Sequence, residues 1–129
     1  MRLLTALSLG VAVALGAISP ASADLILVNS TTKSIRFTVL FESHGQPSKT
    51  QTYCLVNYNR RFIPHAELFQ TVHIAVYGTV VAQQMEQQNC TGKVLASFPG
   101  YRYLISNGSN PVLDFKLTSG VLAPVRSQY

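Results

Sequence analysis

The chain has no tryptophan, two cysteines and only five acidic side chains in 129 residues. Neither Cys54 nor Cys90 has a second cysteine or a histidine at ligand spacing, which excludes the common zinc sets. Long hydrophobic runs are missing beyond residue 18. The best of them, residues 72–82, is broken by Gly78 and falls short of the ~20 residues a membrane helix needs. No stretch of ordinary helical length repeats its apolar residues at a spacing near 3.6, which argues against a parallel α/β sheet.

What is present begins at the amino terminus. Arg2 supplies one positive charge, residues 3–18 carry none, and Ser19-Pro20 ends any helix there. Ala21-Ser22-Ala23 then places small side chains at the −3 and −1 positions before Asp24. A basic start, an apolar core and an A-x-A-like site are the three parts of a secretory signal peptide, so residues 1–23 are expected to be removed on export. Asp24 offers no thiol for the lipid attachment seen in bacterial lipoproteins. The exported chain keeps nine basic against five acidic side chains, a net charge of +4. Such a balance favours mild attraction to anionic surfaces and says nothing about fold.

Both cysteines lie in the exported part. An even number in an oxidising compartment points to a disulfide between Cys54 and Cys90.

Apolar and polar residues alternate along most of the remaining chain. Ile35, Phe37, Val39 and Phe41 are apolar, with Arg36, Thr38 and Glu42 on the other side of the same strand. Residues 25–28, 50–56, 72–82 and 111–117 read as further strands, and residues 93–98 and 101–106 as a hairpin about Pro99-Gly100. Gly78 marks the close of one strand, residues 83–89 are ambiguous, and Pro64 is placed to start a helical turn over 65–68. Phe62-Ile63-Pro64, that turn, and Val72-x-Ile74-x-Val76 together resemble a strand-to-strand corner of Ig-like sandwiches, without the buried tryptophan of antibody-type domains. The expectation is an all-β fold, a small antiparallel β-sandwich of about seven or eight short strands with one disulfide. Residues 24–118 would form this single domain and residues 119–129 a frayed tail.

Chemistry is sparser. His65-Ala66-Glu67 matches half of the zinc deaminase pattern and lacks the P-C-x-x-C half, so it reads as a surface turn. His65 and Glu67, with Arg60, Arg61 and Tyr58 nearby and His73 following, could serve a small secreted nuclease. Asn57-Tyr58-Asn59-Arg60-Arg61 also reads as an exposed basic loop for an anionic partner, since Arg60 and Arg61 are the only adjacent cations. Tyr101 and Tyr103 share a strand face and flank Arg102, a second candidate contact surface. The three N-x-[ST] sites, at Asn29, Asn89 and Asn107, are read as turn residues. No strong nucleic-acid signal and no cofactor motif accompany these residues.

The reading that follows is a non-enzymatic secreted or periplasmic module that recognises a protein, glycan or envelope surface. The alternatives are the small hydrolase and an inhibitor of an extracellular enzyme presenting the 43–49 loop. Intact-mass measurement of exported protein is expected to give a chain beginning at Asp24. A species that retains residues 3–18 would contradict the signal peptide.

Overall fold

The alternating segments become strands because period-2 patterning lets each bury one face and leave the other wet. A computed structural model describes residues 24–64, 76–105 and 110–128. Among them are eight strands, numbered in chain order: β1 (Asp24–Asn29), β2 (Ile35–Ser43), β3 (Lys49–Leu55), β4 (Arg60–Pro64), β5 (Val76–Met85), β6 (Val94–Ile105), β7 (Pro111–Thr118) and β8 (Val121–Gln128). They form two four-stranded sheets, ordered β4-β1-β7-β8 and β3-β2-β5-β6. All pairings are antiparallel except β1 with β7, which is parallel. No helix among the described residues is long and apolar enough to cross a membrane.

The inner faces interdigitate as in other sandwiches. Leu25 and Leu27 of β1, Ile63 of β4 and Leu113 and Phe115 of β7 meet Ile35, Phe37 and Val39 of β2 and Val80 of β5 in one buried cluster. Phe115 packs edge-on against two rings of the opposite sheet, Phe37 at 5.1 Å and Phe98 at 5.4 Å. Each such aromatic pair adds ~0.5–1.5 kcal/mol beyond area burial.

Several local expectations change. Pro99-Gly100 does not turn the chain but forms a bulge inside β6: Val80 pairs with Tyr101 and Ala82 with Phe98, so two residues oppose Val81 alone. Proline tolerates a bulge because it has no N–H to give to the ladder, and Gly100 accepts the φ of 127° found there. Gly78 does not close its strand, and β5 runs through it to Met85. A Cβ at Gly78 would come within 3.0 Å of Ile105 Cδ1, so the glycine admits close packing of β6. The ambiguous residues 83–85 belong to β5, and residues 86–93 form the loop after it.

The segment expected to fray forms β8, paired with β7 along its length. Ser119 and Gly120 have φ of 52° and 79°, the two left-handed residues that a tight type I′ hairpin requires. The 65–68 turn and residues 72–75 lie outside the described residues.

One end of the sandwich is tied together by polar groups. Asn29, fully buried at 0% exposure, donates its amide to the carbonyls of Lys33 (2.8 Å), Leu55 (3.0 Å) and Val56 (3.1 Å). Two hydrogens serve three acceptors, so one is shared. Its side-chain oxygen accepts from the Thr31 N–H at 2.9 Å and the Thr31 hydroxyl at 2.7 Å. Its N–H reaches the Asn59 carbonyl at 2.8 Å. Alongside, the buried Ser34 hydroxyl donates to the Gln87 carbonyl and accepts from the Cys90 N–H at 3.3 Å. Cys90 is bonded to Cys54, with their Cα atoms 5.9 Å apart.

That disulfide closes a sequence separation of 36 residues and should contribute about 4 kcal/mol by restricting the unfolded chain. Reduction, or Cys54→Ser, is therefore expected to lower the unfolding free energy by about that amount in denaturant titrations. An unchanged midpoint would contradict it. Asn29→Asp keeps the shape but loses both donors and sets a carboxylate against three carbonyls. It should cost about 3 kcal/mol or more at neutral pH. Protonating this carboxyl restores one donor, so its folded-state pKa is raised, and the deficit relative to wild type should shrink as pH falls from that raised value and be smallest below the unfolded carboxyl value of ~4. Urea titrations at two pH values measure both effects.

Candidate functional site

The end of the sandwich built around Asn29 gathers the β1–β2 turn, the β3–β4 turn, the 86–93 loop and the β7–β8 hairpin. Parallel pairing of β1 with β7 puts Asn29 opposite Phe115, and the Ser30 N–H continues the ladder to the Phe115 carbonyl at 2.9 Å. Residues 30–32 thereby meet residues 116–118. Between them lies a cleft of about 410 Å³ lined by Ser30, Thr31, Thr32, Tyr58, Lys116, Leu117 and Thr118.

Its back wall is already committed. The Thr31 hydroxyl is bonded to Asn29, and the Ser30 hydroxyl donates to Asp114, which also lies 3.7 Å from the Lys116 ammonium. The exposed Thr32 and Thr118 hydroxyls and the half-exposed Lys116 amine remain for a ligand.

Tyr58 projects beside them, 66% exposed and at φ 56°, in the left-handed region that costs an L-residue roughly 1–2 kcal/mol. The turn that imposes this conformation is clamped. Gln88 donates to Asn57 Oδ1 at 3.0 Å, and the Asn57 N–H returns a bond to Gln88 Oε1 at 3.3 Å. Gln88 lies two residues before Cys90, so the disulfide fixes the loop that fixes the turn. An exposed aromatic held in a strained backbone by cross-links is a feature found at ligand-contact sites.

The other candidates do not join it. Arg60 and Arg61 begin strand β4 instead of extending a loop, and alternation sends them to opposite faces. Arg61 covers the open side of the sandwich, its guanidinium 5.1 Å from the centre of the Tyr53 ring of the facing sheet. Arg60 stands on the outer face with Ile26, Val28, Phe62 and Val112. Arg60 and Arg61 thus stand on opposite faces of β4 and do not form the one basic surface expected of them with Tyr58.

Tyr101 and Tyr103 do share a face of β6, with ring centres 4.9 Å apart. Tyr101 is exposed, whereas Tyr103 is 5% exposed and belongs to the core. Burial raises the Tyr103 phenol above its ordinary value of 10.0; the Arg126 cation draws it partly back, and Tyr101 adds to the rise. Tyr103 therefore stays neutral at physiological pH. Arg126 lies 5.5 Å from the Tyr103 ring centre and closes the other open side as Arg61 closes the first.

Arg102 points to the opposite face of β6. It stacks on Tyr77 at 4.0 Å and reaches Glu42 at 4.0 Å, beside a depression that His44, Gln46 and Ser48 of the 43–49 connection also line. His65, Glu67 and His73 lie outside the described residues. Among those described, no group of three His, Cys, Asp or Glu side chains could hold a metal.

Sequence reasoning singled out Tyr58 and missed its neighbours. Asn29-Ser30-Thr31-Thr32 carries a turn signal only, and nothing local announces that it meets residues more than eighty positions later. Comparison with known proteins brings no relative to this site: no protein-family model, no curated protein and no solved structure matches the chain.

Proposed function

We propose that this chain is a non-enzymatic binding module of an oxidising, extracytoplasmic compartment, and that it holds a glycan at the Tyr58 cleft. The observation that carries the reading is the display of Tyr58, an exposed ring kept at positive φ by the disulfide-anchored loop. A tyrosine ring offers an apolar face to sugar C–H groups and a polar tip to their hydroxyls. Thr32, Thr118 and Lys116 supply hydrogen-bonding groups of the kind that fix orientation in a small-molecule site. The cleft volume of about 410 Å³ suits one or two sugar rings. The Cys54–Cys90 bond fits an exported protein, as does the signal-like amino terminus.

Tyr58→Gly separates a binding role from a structural one. It removes the ring and relieves the left-handed strain, so unfolding free energy should stay within about 1 kcal/mol of wild type or rise. Saturable binding on an oligosaccharide array, followed by calorimetry with the best oligosaccharide, should fall at least tenfold in this variant. Retained affinity in Tyr58→Gly, or no saturable glycan at all, would overturn the proposal.

A further inference from the structure

We infer that the outer face of the β4-β1-β7-β8 sheet carries a second binding site, a groove for a single-chain carboxylate amphiphile. It rests on different residues from the Tyr58 cleft and does not depend on the glycan reading. Phe62, Ile26 and Val112 stand in one row across β4, β1 and β7, and Arg60 flanks Val28 in the next. These five side chains enclose about 390 Å³, within the roughly 300–1,000 Å³ of small-molecule sites. Ile26 faces away from the core yet is only 5% exposed, which makes it the floor. Phe62 and Val112 form the walls, and Val28 continues the apolar track.

The polar end of the groove is Arg60. Its backbone N–H bonds to Asn59 Oδ1, while its guanidinium has no ion-pair or hydrogen-bond partner among the described residues. A guanidinium fork suits a carboxylate, which it can hold bidentately. Among the described residues, the acidic residue nearest to Arg60 in strand register on this face is Asp114, across Val28, some two strand spacings or ~9.6 Å away. Asp114 is engaged by Ser30 and Lys116 and so repels an incoming anion little.

The same pair argues against a second copy as the occupant. A partner sheet closing over the whole face would bury the Asp114–Lys116 ion pair, whose desolvation opposes association. A single acyl chain covers the groove and leaves that pair in water.

The test uses dodecanoate as the probe and dodecanol as its neutral counterpart, by calorimetry below the micellar range. Dodecanoate should bind saturably at one site, and dodecanol about tenfold more weakly. Arg60→Gln should cost dodecanoate about tenfold and leave dodecanol unchanged, with an unaltered melting temperature because the Arg60 side chain is exposed. Phe62→Ser should weaken both probes, and Tyr58→Gly neither, which keeps this site distinguishable from the glycan cleft. Equal dodecanoate affinity in wild type and Arg60→Gln would overturn the inference. So would absence of saturation, binding only to anionic vesicles, or sedimentation as a dimer that shields Phe62.

Discussion

Asn29 occupies the point where β1 ends and three other connections converge. Its carboxamide replaces the backbone pairing that strands supply elsewhere: it holds the Lys33 carbonyl of its own turn, the Leu55 and Val56 carbonyls at the end of β3, and Thr31. Buried carbonyls without donors would each cost roughly 1–3 kcal/mol, so the turn, the β3 end and the cleft wall share one solution. The position also fits an N-x-[ST] pattern, yet a side chain so enclosed offers no nitrogen for a sugar in the folded protein. Ser34 and Cys90 extend the arrangement, joining the 86–93 loop to the same end.

The two lateral openings of the sandwich are closed by a different device. Arg61 on Tyr53 and Arg126 on Tyr103 each lay a guanidinium over a ring of the facing sheet. A cation–π contact of ~0.5–1 kcal/mol is modest, but the long apolar stem also shields the core margin while the charge stays near water. The sheet edges are guarded as well. β4 ends at Pro64, β6 is bulged at Pro99-Gly100, and β8 contains Pro124, each a hindrance to pairing with another chain.

These devices explain why residues adjacent in sequence serve different purposes. Arg60 and Arg61 differ by one position on a strand, which is a difference of face. One seals the core, and the other lies beside an apolar groove. Arg102 likewise departs from its tyrosine neighbours to stack on Tyr77. The cleft at Tyr58, by contrast, assembles groups from residues 30, 58 and 118, because the β1–β7 pairing crosses most of the chain.

What the sequence determined by itself was periodic or covalent. Alternation over residues 35–41 named the four buried apolar side chains of β2, Ile35, Phe37, Val39 and Phe41, and two cysteines allowed one intramolecular partner choice. Ser119-Gly120 was a legible hairpin signal, and it overrules the expectation of a frayed end. Pro99-Gly100 carried the same kind of signal with the opposite outcome, since β5 pairs on both sides of it and absorbs the extra residue as a bulge. Only tertiary structure could decide that case, and only it could place Arg60 apart from Arg61 or bring Thr32 to Thr118. Local sequence sets which face a side chain takes relative to its neighbours. Which surface that face becomes depends on strand pairing between distant segments, and that is decided by burying the whole apolar set at once.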